Sequence, residues 1–209
     1  MITGIVGTIG TIVADHIQDD HEVHGVDLRE SDRPNTTQID LSDSADELAK
    51  TFEGVDVVLH LAADRRHEPW ISWDELMRPN IIATANVYTA AHKAGVRRVV
   101  FASSMHAVGG YELIEPYASI VNGNYEGIDR NKVELVKGLG QDAKPDSEYS
   151  ASKVFGESLA LTMFQEIQPS KCEPWLLYHL ENYHPQRERE TCVFVKKRFS
   201  QCARCSLFH

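Results

Sequence analysis

The feature that most constrains the fold is a run of three evenly spaced glycines, Gly4, Gly7 and Gly10, in the opening stretch MITGIVGTIGT. Glycines with this spacing let a backbone turn approach a pyrophosphate and let the following helix pack closely on a sheet. The first turn of that helix then presents its N–H groups to the anion. Similar spacing also occurs in ordinary turns, so the loop predicts a dinucleotide site only in the right context. Only three residues precede Gly4, so we expect a truncated first strand.

The segments after this loop alternate between strand and helix signals, as in a parallel α/β sheet. Apolar and β-branched runs predict strands, and 3.6-residue periodicity with capping residues predicts helices. We expect strands ending at Asp27 and covering 36–40, 55–63 and 97–104. We expect helices over 9–17, 44–54, 73–95 and 147–164, the third restarted or kinked at Pro79. Residues 105–146 are less periodic and are predicted to be mostly loop.

Charge and cysteine content divide the chain near residue 164. Residues 1–164 hold 14 Lys and Arg against 26 Asp and Glu, a net charge of -12, whereas residues 165–209 hold 7 against 5, a net charge of +2. All four cysteines, Cys172, Cys192, Cys202 and Cys205, lie in the second part. We therefore predict an α/β domain over 1–164 and an atypical tail over 165–209. A zinc site of Cys192, Cys202, Cys205 and His209 has irregular spacing, so unpaired thiols and no metal are expected.

The overall charge excludes some classes of partner. A net charge of -10 and a pI of about 5.4 argue against non-specific nucleic-acid binding, which depends on clustered Lys and Arg. The sequence has no apolar run long enough to span a bilayer and no signal-peptide pattern at its start. We therefore expect a cytoplasmic protein without a membrane partner.

Two sets of residues supply the context that the glycine loop needs. Asp27 ends the second predicted strand at the distance where a carboxylate accepts hydrogen bonds from an adenosine ribose, which favours NAD, although Arg29 leaves NADP open. Tyr149 and Lys153 are four residues apart on one predicted helix, so the phenol and the ammonium can point into one cleft. A surface pair would show the same spacing. The Tyr-Lys helix, however, follows a strand that ends at Ser103 and Ser104, where ligands bind in doubly wound sheets.

With these residues in place, the chain resembles the extended short-chain dehydrogenase/reductase superfamily, also called the NAD-dependent epimerase/dehydratase family. The matching stretches include TGIVGTIG, HLAAD, FASSMHAVGGYE and YSASKVFGE. Within the family the resemblance is greatest to uronate dehydrogenases and to NAD-dependent glucose-6-phosphate dehydrogenases of haloarchaea. It covers residues 1–164 and implies a Rossmann-type doubly wound parallel sheet that binds NAD.

The resemblance also implies roles for individual residues. Cofactor contacts are expected at Gly4, Gly7, Thr8, Ile9, Gly10, Asp27, Leu28, Asp40, Leu41, Leu61, Ala62, Ala63, Asn80, Tyr149 and Lys153. Ser104, Tyr149 and Lys153 would form the catalytic triad, in which Ser104 holds the reacting oxygen and Tyr149 accepts its proton. Lys153 would bind the nicotinamide ribose and lower the pKa of the phenol. Substrate contacts are expected at Ser104, Met105 and His106, with Met105 standing where relatives have an asparagine.

The reaction that the resemblance favours is oxidation of a uronate or sugar phosphate at its C1 hydroxyl, giving a lactone. A nucleotide-sugar epimerase or dehydratase would use the same triad, and an inactive NAD-binding remnant is a third alternative. The remnant is favoured by the short first strand and by the tail, which lacks family motifs and could be truncated or frame-shifted. Relatives often pair through the helices that match 80–94 and 147–164, so a homodimer is expected.

Overall fold

The computed structural model describes residues 1–66, 71–134 and 143–167, with side chains up to residue 163, and the backbone of 176–179 and 194–195. Seven strands form one sheet in the order β3-β2-β1-β4-β5-β6-β7. They are β1 (Ile2–Thr3), β2 (Gly25–Asp27), β3 (Thr36–Gln38), β4 (Val57–His60), β5 (Arg98–Ser103), β6 (Leu176–His179) and β7 (Phe194–Val195). All neighbours are parallel except β6 and β7. The predicted Rossmann-type parallel sheet is confirmed.

The short strand β1 lies in the middle of this sheet and pairs on both sides. Ile2 is in register with Gly25 of β2 and with Leu59 of β4. Backbone hydrogen bonds continue past each end of the strand: the Met1 amino group donates to Val57 O at 2.9 Å and Gly4 N donates to Val26 O at 2.8 Å. The two-residue strand therefore positions the glycine loop at the carboxyl edge of the sheet.

Helices cover both faces of the sheet. They are α1 (Thr8–Ile17), α2 (Ala45–Thr51), α3 (Trp73–Leu76), α4 (Ala83–Lys93), α5 (Tyr117–Val121) and α6 (Glu148–Ile167). On one face, Ala14 of α1 packs against Ile2 and Ile5. On the other, α2, α4 and α6 bury the larger cluster, which includes Leu48, Tyr88 and Phe101. This two-sided burial is what requires the near-continuous apolar pattern of β4 and β5.

Two local predictions differ from the structure or gain detail. The interruption expected at Pro79 is a π-helical segment, Met77–Ile82, between α3 and α4. It follows from the missing N–H of proline, which removes one hydrogen bond from the helix. The prediction of loop over 105–146 is wrong for three parts of that region: a 3₁₀ helix at Met105–Leu113, α5, and a 3₁₀ turn at Arg130–Lys132. Such short elements bury little apolar surface and leave no helical period in the sequence.

The sheet also extends into the predicted tail. Residues 176–179, in the apolar stretch PWLLYHL, pair in parallel with residues 100–103 of β5. The four cysteines lie outside the described residues. Among the helices described, none combines the length and apolar content that crossing a bilayer requires.

Candidate active site

The glycine loop is held tightly against the turn that follows β4. Gly4 has a φ of +73°, and a Cβ there would lie 2.8 Å from the Ala62 backbone. A Cβ on Gly10 would lie 2.2 Å from Gly4 O, where α1 crosses the loop. Gly7 precedes α1 as its N-cap, so the first turn of the helix opens next to the loop. The glycines are therefore required by backbone packing, and that packing aims a helix N-terminus at the carboxyl edge.

A pocket of about 310 Å³ lies beside this loop. Nine of the predicted cofactor residues line it: Gly4, Gly7, Asp27, Leu28, Asp40, Leu41, Leu61, Ala62 and Ala63. Arg29, Ile39, Pro79 and Ala83 complete the lining, and among these four only Arg29 was considered for cofactor binding from the sequence. The other six predicted cofactor residues, Thr8, Ile9, Gly10, Asn80, Tyr149 and Lys153, are not among the lining residues.

Asp27 is buried at the end of β2 and is bonded on both carboxylate oxygens. Oδ2 accepts from Val6 N at 2.9 Å, and Oδ1 accepts from Arg29 N at 3.0 Å and Arg29 Nε at 3.3 Å. Ile5, which lies between Gly4 and Gly7, is 1% exposed, and its side chain fills the space beside Gly25. The Ile5 side chain therefore faces the core. The loop and the acidic strand end thus form one hydrogen-bonded unit. The Arg29 guanidinium is part of this unit and lines the pocket beside Asp27.

Asp40 also lines the pocket, and its carboxylate accepts hydrogen bonds from its own turn. Oδ1 accepts from Ser42 N at 2.8 Å and from Ser42 Oγ at 2.6 Å, and Arg78 donates to Oδ2 at 3.5 Å. The hydrogen bond from the Ser42 hydroxyl is the main cause that lowers the pKa of the Asp40 carboxyl. Asp40 is therefore an ionised, oriented acceptor beside the apolar Leu41.

Asn80 holds the segment after β4 in place through hydrogen bonds. Its Oδ1 accepts from Asp64 N at 2.7 Å, and its Nδ2 donates to Asp64 O at 2.9 Å and to Ser152 Oγ at 3.0 Å. These bonds connect the π-helical segment, the loop after β4 and α6. The side-chain amide of Asn80 thus bonds to other parts of the protein. These bonds fix α6, the helix that carries Tyr149 and Lys153, relative to the pocket.

Ser104, Tyr149 and Lys153 come together at the end of β5. Ser104 is buried, its hydroxyl accepts from His106 N at 3.2 Å, and it is hydrogen-bonded to the Tyr149 phenol. The Lys153 ammonium donates to Ala102 O at 2.9 Å and lies 5.6 Å from the centre of the Tyr149 ring. The i, i+4 spacing on α6 thus places both side chains towards β5, as expected for one helix face.

The ionisation of this trio differs from the sequence-based expectation. Burial raises the pKa of the Tyr149 phenol above its usual value, against smaller lowering effects of the Ser104 hydrogen bond and the Arg65 charge. Burial also lowers the pKa of Lys153 to about 8, opposed by the carboxylate of Glu157. Without a ligand, therefore, Lys153 does not lower the pKa of the Tyr149 phenol enough for Tyr149 to act as a base. Additional positive charge or closer approach is needed to ionise the phenol.

Sequence comparison agrees with this geometry. The profile of the NAD dependent epimerase/dehydratase family matches residues 1–170. The chain belongs to this family. The family assignment made from the sequence motifs is thereby confirmed.

Members of the epimerase/dehydratase family that resemble this chain include several sugar dehydrogenases. L-arabinose 1-dehydrogenase (NAD(P)(+)) of Haloferax volcanii is 35% identical over 76% of this chain, and NAD-dependent glucose-6-phosphate dehydrogenase of the same organism is 30% identical over 91%. The crystal structure of uronate dehydrogenase from Agrobacterium tumefaciens has a TM-score of 0.60 and 29% identity over 79% of this chain. The chain spans 58%, 71% and 55% of these three proteins, respectively.

Several functional candidates within this epimerase/dehydratase domain were missed by sequence reasoning. Glu157 is 1% exposed, accepts a hydrogen bond from the Ser103 hydroxyl and acts electrostatically on Lys153. Its position four residues after Lys153 is a signal that helical spacing could have supplied. Asp146 precedes α6 and hydrogen-bonds to His106, a contact between segments 40 residues apart that no local pattern reveals.

The two predicted substrate residues after Ser104 have different environments. Met105 is 47% exposed, and a thioether is a weak hydrogen-bond acceptor. His106 is partly buried and bonded through its ring to Asp146. Within the described residues, no cluster of three or more His, Cys, Asp or Glu side chains could hold a metal ion.

Proposed function

We propose that this chain carries the NAD site and the Ser-Tyr-Lys centre of a dehydrogenase that oxidises a sugar at its C1 hydroxyl to a lactone. The observation that carries the proposal is the carboxyl edge of the parallel sheet, where the pocket lies at the ends of β1, β2 and β4, and Ser104, Tyr149 and Lys153 lie at the end of β5. The relatives that are dehydrogenases of arabinose, glucose 6-phosphate and uronate support the sugar as substrate class. A variant of the Agrobacterium uronate dehydrogenase complexed with NAD supports the cofactor.

The residues of the pocket fit a dinucleotide. The N-terminus of α1 offers N–H groups to a pyrophosphate, and Asp27 offers carboxylate oxygens to ribose hydroxyls. Leu28 and Leu41 supply apolar surface for an adenine. Bound NAD would supply the hydride acceptor. NADP is a second candidate cofactor because Arg29 lies beside Asp27, and the name of the arabinose dehydrogenase relative includes NAD(P)(+).

The protein's own residues account for the proton transfer. Ser104 holds the sugar hydroxyl by a hydrogen bond, and the Tyr149 phenolate takes its proton as the hydride leaves. Lys153 stabilises that phenolate, and its pKa of about 8 keeps most of its population charged at neutral pH. Because burial holds the phenol protonated in the free protein, we propose that Tyr149 ionises only in the ternary complex.

The charge near Tyr149 favours an anionic sugar. Arg66 donates to Asp64 at 2.6 Å and to Glu75 at 3.2 Å, so its charge is compensated within the loop. The charge of Arg65 acts on the phenol of Tyr149. That positive charge would attract a carboxylate or phosphate on the substrate, which supports a uronate or a sugar phosphate over a neutral pentose.

Calorimetric titration with NAD and with NADP tests the cofactor, and reduced-cofactor absorbance with uronates, glucose 6-phosphate and L-arabinose tests the reaction. Tyr149→Phe is expected to keep NAD affinity and lose turnover by roughly 100- to 10,000-fold, as for removal of a general base. Tyr125→Phe is the matched control, because Tyr125 is 70% exposed. Full turnover in Tyr149→Phe would refute the mechanism.

Two other outcomes separate the alternatives. NAD binding without oxidation of any sugar would favour an inactive cofactor-binding domain. Conversion of a nucleotide sugar without net NAD reduction would favour an epimerase or dehydratase. A homodimer through α4 and α6 and a cytoplasmic location stay predictions, which sedimentation and cell fractionation would test.

A further inference from the structure

Glu157 is a buried acidic side chain one helical turn after Lys153 on α6. It is 1% exposed, and its Oε1 accepts a hydrogen bond from the hydroxyl of Ser103, the last residue of β5. Taking a carboxylate out of water is costly unless hydrogen bonds and an opposite charge compensate for the lost hydration. Ser103 supplies a hydrogen bond but no charge, so the compensating charge has to come from another group.

The ammonium of Lys153 is buried as well, and its contacts are with uncharged groups. Lys153 is 5% exposed and donates to Ala102 O at 2.9 Å. Its Nζ lies 4.9 Å from the centre of the Phe101 ring and 5.6 Å from that of Tyr149. Arg65 adds a second positive charge that acts on the Tyr149 phenol. These neighbours supply no negative charge to the ammonium.

The negative charge that acts on Lys153 comes from Glu157. Burial lowers the pKa of Lys153 to about 8, and the charge of Glu157 opposes this effect. Titratable side chains of the neighbouring elements are neutral at pH 7. Burial and then the Lys153 charge lower the pKa of His60 in β4 to about 3, and burial and then the Glu157 charge raise the pKa of Tyr88 in α4 well above its usual value.

Close packing of α6 on β5 brings Glu157 to Ser103. A Cβ on Gly156 would lie 2.4 Å from Phe101 Cζ, and the Tyr88 hydroxyl donates to Gly156 O at 3.2 Å. The lack of a side chain at position 156 therefore lets the helix come close enough for the next residue, Glu157, to reach the end of the strand.

We propose that Glu157, bonded to Ser103, is a positioning residue that keeps the Lys153 ammonium charged at the end of β5. There the ammonium can stabilise the phenolate of Tyr149. The inference rests on the proposed function and deepens it, because the proposed proton transfer requires a charged lysine beside the phenolate. Glu157 acts through Lys153 and needs no contact with the sugar or the cofactor.

Glu157→Gln tests this, because glutamine keeps the shape of the side chain and an acceptor for Ser103 but removes the charge. Carbon NMR of labelled lysine side chains in the free protein measures the pKa of Lys153, whose signal is the one that titrates near pH 8 and is missing in Lys153→Met. We expect this pKa to fall from about 8 to about 7 in Glu157→Gln. Glu126→Gln, the same substitution at an exposed glutamate, should leave it at about 8.

Turnover at two pH values separates a loss of charge from a loss of packing. At pH 8 such a fall in pKa reduces the charged fraction of Lys153 from about one half to about one tenth. We therefore expect kcat of Glu157→Gln at pH 8 to fall about 5-fold, with KM for the sugar little changed. At pH 6, where the lysine is charged in both proteins, kcat should be nearly equal. Glu126→Gln should match the wild type at both pH values.

An unchanged pKa of Lys153 in Glu157→Gln would overturn the proposal. Equal losses of kcat at pH 6 and pH 8 would also overturn it, because they indicate a packing defect.

The wild type decides the matter if Glu157→Gln does not fold. Glu157 is the one buried glutamate among the described residues, so carbon NMR of the carboxyl groups should show every glutamate ionised at pH 7. A protonated glutamate at that pH would contradict the proposal. If the wild type oxidises no sugar, the proposed function fails, while the pKa of Lys153 in the free proteins still decides whether Glu157 maintains its charge.

Discussion

The buried imidazole of His60 should make the stability of this protein depend on pH between 7 and 5. His60 is 1% exposed at the end of β4, and both ring nitrogens face hydroxyl groups: Thr3 Oγ1 at 2.7 Å and Thr84 Oγ1 at 3.1 Å. Thr84 donates its own proton to Asn80 O at 2.6 Å, so it accepts from His60 Nε2. These neutral partners suit a neutral ring. Burial, helped by the charge of Lys153, lowers the pKa of His60 from 6.5 to about 3.

The sign and size of the effect follow from these two pKa values. Between pH 6.5 and pH 3 the unfolded chain binds a proton on His60 that the folded protein does not bind, so the free energy of unfolding falls as the pH falls. The full effect is about 5 kcal/mol, and about 2 kcal/mol of it is lost between pH 7 and pH 5. Most carboxylates stay ionised in that window, which separates their contribution from that of His60.

Urea unfolding at pH 7, 6 and 5 measures this loss. The wild type should lose about 2 kcal/mol, whereas His60→Gln, less stable at every pH, should lose much less over the same range. His92→Gln, at an exposed helical position, should keep the wild-type pH dependence. The reasoning is refuted if His60→Gln retains that dependence, or if proton NMR shows His60 titrating above pH 5.

Three further outcomes are expected. Gly10→Ala should cost about 3 kcal/mol or more in urea unfolding and abolish NAD binding in calorimetry, because its Cβ would lie 2.2 Å from a carbonyl oxygen. Gly95→Ala, in open space at a φ of +71°, should cost about 1 kcal/mol and leave binding intact. Lys153→Met should lose turnover. In the wild type, Lys153 has a pKa of about 8 when folded and releases its proton at lower pH than in the unfolded chain, so the free energy of unfolding should rise by about 2 kcal/mol between pH 8 and pH 10. Lys153→Met should lack this rise. Arg65→Ala should raise KM for an anionic sugar about 10-fold, because the charge of Arg65 acts at Tyr149. Arg66→Ala is the control and should keep the wild-type KM, because the Arg66 guanidinium binds Asp64 and Glu75.

The sequence predicted those parts of the fold whose residues repeat with a regular strand or helix period. The glycine loop, the strand ending at Asp27 and the helix with Tyr149 and Lys153 were predictable because strand and helix periods are visible within about ten residues. The 3₁₀ helix after Ser104 was missed because a 3₁₀ turn has neither of those periods. The π-helical segment was visible only as an interruption, since Pro79 removes a hydrogen bond without specifying what replaces it.

The site was predicted less completely than the fold. Nine expected cofactor residues line one pocket, because the carboxyl ends of parallel strands meet at one edge of a sheet. The side chain of Asn80 binds Asp64 and Ser152, and its contact with a cofactor stays a prediction. The raised pKa of Tyr149 was not foreseen, because it depends first on how deeply the phenol is buried.

The sequence by itself determined the family, the parallel α/β order of the elements and the residue types available at the proposed site. Tertiary structure alone decided which of those groups touch and how they ionise. The His106–Asp146 pair, the buried Glu157 behind Lys153 and the neutral His60 each depend on segments at least 40 residues apart or on complete burial. Contact and desolvation set hydrogen-bond direction and pKa, and both come into being only when the chain is folded.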